Sequence, residues 1–191
     1  MFEMVVDNPD GYMVNRYSIH QWVWKKFQGL TSESRQPFTF SVLGADGGKL
    51  VVRSMHPFNG GSAVAFNKPV GSVFNLSIDL APFTQVSGKE KVVRDRASKI
   101  DQLKKQIAKI GLELLDEDTV EMTEFSCNAV KSEGSMLRQF TRFYMCPVKV
   151  VDANAFRMGY FDGVPGKHGK RMFGLGMPRI YNINSFTTQN T

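Results

Sequence analysis

Two tandem α+β modules with antiparallel sheets are the fold that this 191-residue sequence predicts. Three observations carry the expectation. An order of elements, β-α-β-β-(α)-β, is written twice along the chain. The strand-like segments alternate apolar and polar residues, as half-buried antiparallel strands do. Each half also carries one amphipathic helical stretch that needs a sheet to cover its apolar stripe. This is the order of ferredoxin-like, or RRM-like, βαββαβ domains. The expected division is an N-terminal domain over 1–84, a C-terminal domain over 85–182 with the join near 81–88, and a polar tail over 183–191.

The elements follow in order. FEMVV (Phe2–Val6) is a short β-like run, and NRYSIHQWVWKKFQG (Asn15–Gly29) reads as a helix closed by its glycine. After the polar TSESRQP, the segment PFTFSVL places Phe38, Phe40 and Val42 on one face. GADGG is a hairpin signal leading into KLVVRSM. The small-residue stretch GGSAVAFNKP is expected to hold a short helix, and SVFNLSIDL alternates cleanly, closing the first module. In the second half, Ile100, Leu103, Ile107, Ile110 and Leu114 recur at helical steps within SKIDQLKKQIAKIGLELL. Ser98 with Asp101 resembles a capping box there. VEMTEFSCNAV and MLRQFTRFYMCPVKVV read as strands joined by the turn KSEGS. DANAFRMGYF reads as a helix with Asp152 as N-cap, and FGLGMPRIYNI as a final strand.

Composition narrows the classes of function. Hydrophobic residues make up 42% of the chain, enough for a real core, yet no apolar run approaches the ~20 residues that span a bilayer. MFEMVVDNPD lacks the basic start of a signal peptide, so a soluble, cytoplasmic protein is expected. Cys127 and Cys146 alone do not make a disulfide framework. The net charge of +6 points first to a polyanion, usually nucleic acid.

Three motifs give that charge a use. On the helix around residue 20, at about 100° per residue, Ile19, Trp22, Val23 and Phe27 share one arc. His20, Tyr17, Trp24, Gln21 and Lys25 take the opposite one. His20 is then either an ordinary surface histidine or part of a Tyr-His-Lys patch. Such a patch can move a proton and stabilise charge developing on a phosphate. Next, GKEKVVRDRASKIDQLKKQIAK (Gly88–Lys109) holds eight Lys or Arg against three acids. Lys104, Lys105 and Lys109 fit a solvated helix face. Lys89, Lys91, Arg94 and Arg96 precede the periodicity, in a basic loop placed to track a phosphate backbone. Last, DGVPGKHGKRMFGLG (Asp162–Gly176) fails as a nucleotide-binding P-loop, because five residues separate Gly163 from Gly169 and Arg171 follows Gly169-Lys170. It remains a glycine-dense segment carrying Lys167, His168, Lys170 and Arg171, read as a polyanion contact or a plain turn.

Other chemistries lack their signatures. Zinc spacing, a G-x-S-x-G elbow and a carboxylate cluster for two metals are all absent from the sequence. No metal or other cofactor is therefore expected. A nuclease built this way is metal-independent and confined to RNA, whose 2′-hydroxyl serves as nucleophile.

The three motifs together resemble the CasE-type CRISPR repeat endoribonucleases, members of the RAMP superfamily and the RNA-processing subunits of Cascade. The resemblance reaches to about Arg179 and rests on Tyr17-x-x-His20 with Lys25, on GKEKVVRDR before QLKKQIAKIG, and on KHGKRMFGLG before the last strand. It implies two ferredoxin-like folds that bind the stem-loop of a CRISPR repeat, cut pre-crRNA at the 3′ base of the hairpin and hold the mature crRNA within an effector complex. His20 becomes the general acid or base, Tyr17 orients the reacting groups, and Lys25 stabilises charge at the scissile phosphate. Lys89, Lys91, Arg94, Arg96, Lys131 and Arg138 become stem contacts, with Lys167, Lys170 and Arg171 beside the cleavage site. Two other readings remain: a RAMP-type RNA-binding subunit that does not cut, and a basic α+β domain with a different ligand.

Overall fold

The computed structural model describes residues 1–7, 16–27, 36–43, 48–86, 89–128, 137–166 and 173–181, with backbone alone at 84–86, 89–90, 127–128 and 137–138. The chain is α+β with antiparallel sheets. The first sheet holds β1 (Phe2–Asp7), β2 (Phe38–Leu43), β3 (Lys49–Ser54) and β4 (Ser62–Ala63) in the order β2-β3-β1-β4. One helix, α1 (Arg16–Trp24), packs on it. Ile19, Val23 and Phe27 meet Phe38, Phe40, Leu50 and Val52 in a core of their own.

The second sheet runs β11 (Arg179–Tyr181), β5 (Val73–Leu80), β10 (Leu137–Val150) and β8 (Leu112–Leu114), with β9 (Glu121–Asn128) also on β10. Helices α2 (Arg96–Ala108) and α3 (Ala153–Asp162) supply Ile100, Leu103, Ile107 and Phe156 to its core. A two-stranded hairpin, β6 (Phe83–Val86) with β7 (Lys89–Val92), stands apart from both sheets.

Several sequence expectations are corrected. Val73–Leu80 does not close the first module: its register lies against β10 and β11, and the two sheets part before it. GGSAVAFNKP forms the two-residue β4 rather than a helix. Gly60 there sits at φ 85°, and a Cβ on Gly61 would meet the Phe58 ring at 2.8 Å, so this is turn backbone. The cap of α2 is Asp95, which accepts from the Ser98 amide at 2.8 Å, and not Ser98 itself. The expected long helix stops at Ala108 because Gly111 turns the chain at φ 72°, where a Cβ would lie 2.3 Å from the Asp152 carbonyl oxygen. Leu112–Leu114 then forms β8. By contrast Asp152 caps α3 as expected, accepting from the amides of Asn154 and Ala155.

β10 carries one device that periodicity does not announce. Its register against β5 slips by one residue between Phe143 and Cys146, with Met145 at φ 54°. The bulge switches which alternate residues face inward, so Phe143 before it and Cys146, Val148 and Val150 after it reach the same core.

Candidate active site and nucleic-acid interface

The wheel places His20 on a solvent face, and the structure corrects this. His20 is 8% exposed. It lies among the rings of Tyr17 (centroids 6.0 Å, stacked), Trp24 (6.2 Å, edge-on) and Phe38 (5.6 Å). Trp24 Nε1–H donates to His20 Nε2 at 3.1 Å, and Gln36 Oε1 lies 3.2 Å from the same nitrogen. Nδ1 is buried with no partner among the described residues. Burial pushes the imidazole below its ordinary pKa, against a smaller upward pull from Gln36. His20 is thus a desolvated ring that favours its neutral form.

Tyr17 and His20 are brought together, one turn apart on α1. Lys25 lies past the helix end, its side chain exposed. Lys26 holds its ammonium 4.5 Å over the Trp22 ring.

The basic segment is not a loop. Lys89 and Lys91 lie on β7, Arg94 between β7 and α2, and Arg96 at the first position of α2. Lys91 and Arg94 are exposed. Arg94 borders a groove of about 180 Å³ lined also by Pro82, Val92, Glu124, Gln139, Phe140 and Thr141. Arg96 spends Nη2 on the carbonyls of Glu117 (3.1 Å) and Val120 (2.9 Å), pinning the turn before β9. On α2 and at its C-cap, Lys104, Lys105 and Lys109 are exposed as expected, Lys104 paired with Glu117, while Lys99 is buried and paired with Glu124. The side chains of Lys89 and Arg138 lie outside the described residues, as do Lys131, Lys167, His168, Lys170 and Arg171.

The described end of the glycine-rich segment packs against protein. Gly174, at φ 70°, lies so close to Phe40 that a Cβ would be 2.5 Å from its Cε2, and the Gly176 amide donates to the Asp79 carbonyl at 2.8 Å. Arg179 follows, donating from Nη2 to Asp79 (2.7 Å) and Ser77 (2.9 Å) and from Nη1 to Ser41 on β2 (2.6 Å). Arg142 completes a bidentate pair with Asp79 at 2.8 and 3.0 Å. From β3, Arg53 donates to Glu3 (2.6 Å) and the Pro178 carbonyl (2.6 Å) and lies 3.8 Å over the Tyr160 ring. These contacts tie the first sheet, on which the helix bearing His20 packs, to the second sheet. The alternation of SVFNLSIDL sets Asp79 on the polar face, opposite Phe74, Leu76, Ile78 and Leu80. The signal that could have found it is a lone carboxylate inside an apolar strand, with an arginine soon after the glycines.

Chemically, the site offers a neutral imidazole beside a phenol, on a chain with an exposed basic surface. Among the described residues, no group of three or more His, Cys, Asp or Glu is placed to hold a metal ion, and no helix is long and apolar enough to cross a membrane.

An α+β fold of two antiparallel sheets, with a buried histidine on its first helix, is the class these features define. Over nearly its whole length the chain is similar to solved structures of CRISPR endoribonucleases. To Cse3 bound to 19-nt RNA it is 18% identical at a TM-score of 0.77, covering 95% of this chain and 100% of that one. To Thermus thermophilus Cse3 bound to an RNA representing a pre-cleavage complex it is 16% identical at 0.76, covering 95% and 98%. To Cas6e from Escherichia coli str. K-12 it is 16% identical at 0.68, covering 94% and 98%. No family model matches the sequence, and no curated protein matches it significantly by sequence. At these identities the likeness concerns the fold, α+β with antiparallel sheets.

Proposed function

We propose that the chain is a metal-independent CRISPR repeat endoribonuclease. In this reading the sheets are two tandem ferredoxin-like units, the first without its second helix. The first carries the catalytic helix and the second grips the RNA. The protein binds the stem-loop of a CRISPR repeat and cuts pre-crRNA at the 3′ base of the hairpin. It then stays on the mature crRNA as a subunit of a Cascade-type complex.

The carrying observation is His20: a desolvated, neutral-favouring imidazole stacked on Tyr17, in a fold similar to that of RNA-bound endoribonucleases. The reaction it suits is transesterification. The ring takes the proton of the 2′-hydroxyl, O2′ bonds to the adjacent phosphorus, and the 5′-oxygen leaves with a proton. The products are a 2′,3′-cyclic phosphate and a 5′-hydroxyl. Tyr17 orients the groups and Lys25 offsets charge on the phosphate. Lys91 and Arg94, with Lys89, Arg96, Lys131, Arg138, Lys167, Lys170 and Arg171, are the proposed RNA contacts. His20 is covered in the free protein, so RNA must replace one of its present neighbours. That cover is also the observation favouring a second reading, an RNA-binding subunit that does not cut.

His20→Ala separates the two. The enzyme reading expects hairpin affinity to persist while the single-turnover rate falls roughly 10²–10⁴-fold. A 2′-deoxy nucleotide at the scissile position blocks cleavage, and a chelator does not. Undiminished cleavage by His20→Ala overturns the catalytic assignment. Failure to hold any structured RNA at moderate salt overturns both readings.

A further inference from the structure

Two partners meet on one atom of His20, and they ask opposite things of it. The Trp24 indole is a donor only, so its N–H at 3.1 Å requires a lone pair on Nε2. Gln36 Oε1, at 3.2 Å from the same nitrogen, is an acceptor and requires a proton there. Turning the Gln36 amide over does not resolve the conflict. Its Nε2 donates to the Phe38 carbonyl at 2.8 Å, and a flip would set two oxygens against each other.

We infer that Trp24 and Gln36 are positioning residues that fix the tautomer of His20 and oppose each other over its charge. In the neutral ring Trp24 donates to Nε2, so the remaining proton sits on Nδ1. When the ring takes up a second proton, it arrives on Nε2 and is donated to Gln36, while Trp24 loses its acceptor. Trp24 therefore favours the neutral ring and Gln36 the charged one. The remaining ring neighbours leave this opposition undisturbed: Phe38 on β2 is apolar, and Tyr17 on α1 is the one titratable side chain in ring contact among the described residues. Arg16 is buried on the same helix, and Lys25 is exposed beyond its end. Neither is among the causes that move the His20 equilibrium.

The protonation behaviour stands on geometry alone; its catalytic consequence rests on the function proposed above. The test is NMR of the free protein, with the His20 resonances assigned by their loss in His20→Ala. Nitrogen shifts of the neutral ring are expected to show Nε2 unprotonated. Trp24→Phe keeps a ring in place and removes the donor, and is expected to raise the His20 titration by about half to one pH unit. Gln36→Met removes the acceptor and is expected to lower it. A protonated Nε2 in the neutral ring, or shifts of the same sign in both variants, overturns the inference. In single-turnover cleavage the acid limb of the Trp24→Phe profile is expected to move up in pH with the titration. A titration that moves while the cleavage profile does not supports the positioning pair and overturns the catalytic reading.

Discussion

Asp79 is where the structure makes its sharpest demand on stability. The carboxylate is 2% exposed and accepts from two guanidinium groups: Arg179 at 2.7 Å, and Arg142 at 2.8 and 3.0 Å. Burial alone would raise its pKa, but the charges and hydrogen bonds of Arg179 and Arg142 outweigh this and hold it below the ordinary carboxylate range. Asp79→Asn preserves the shape, removes the charge and turns an amide donor toward guanidinium donors. Arg179, itself 7% exposed, loses its counter-charge. Removing one member of a buried ion pair costs about 3–5 kcal/mol. For a chain of this size that lowers the melting temperature by on the order of 10 °C. Urea unfolding followed by circular dichroism should show a lower midpoint at unchanged slope. Arg142→Gln should lose only about 1–2 kcal/mol, because Arg142 is partly exposed and Asp79 keeps Arg179. The pH dependence has a definite sign. A depressed carboxyl contributes stability that is complete above its unfolded pKa near ~4 and is lost as pH falls through the folded value. The wild type should therefore weaken in acid through a limb that Asp79→Asn lacks. If Asp79→Asn stays within about 1 kcal/mol of wild type at neutral pH, the buried ion pair does not stabilise the fold as argued.

Four other outcomes are expected. Gly174→Ala should destabilise by about 1–3 kcal/mol, since it combines a positive φ with a contact of 2.5 Å to Phe40; an unchanged unfolding midpoint would refute the close approach. Lys91→Ala and Arg94→Ala should weaken stem-loop binding and each flatten the log K against log salt slope by about one, without lowering the melting temperature. Arg96→Ala should lower the melting temperature, because it frees the turn at Glu117–Val120. Cys146, its thiol pushed up to about 12 by burial, should resist alkylation at pH 8 in native Cys127→Ser protein and react once the chain is unfolded.

The sequence made the element types legible and hid the partners. Alternation identified β2, β5 and β9, turn signals marked β3 and β10, and the apolar steps of α2 found Ile100, Leu103 and Ile107, all buried. Local chemistry also announced the Asp152 cap. What failed needed knowledge of distant chain. Val73–Leu80 reads equally well as the last strand of one sheet or the first of the next, because alternation records a covered face and not the strand that covers it. Its residues Ser77 and Asp79 fall on the polar side of that alternation, yet Arg179, a hundred residues on, hydrogen-bonds both in a buried site. The glycines at 174 and 176 belong to a segment that reads as a polyanion contact or a plain turn, and neither reading names what these two approach, the Phe40 ring and the Asp79 carbonyl.

The same limit explains His20, and correcting it changes the chemistry. A helical wheel reports which residues a helix offers to its own sheet. It cannot show that Trp24, four residues on, and the segment bearing Gln36 and Phe38 close over the opposite arc. A surface histidine titrates near its ordinary value and is substantially protonated just below neutral pH, which serves an acid as readily as a base. A ring whose pKa is lowered by burial is neutral at pH 7 and has a lone pair to offer. Under the proposed reaction this assigns His20 to the first proton transfer, from the 2′-hydroxyl, and leaves protonation of the departing 5′-oxygen to another donor or to the imidazolium that the first step creates. Under that proposal the burial favours the base role over the acid role, a choice that the sequence leaves open.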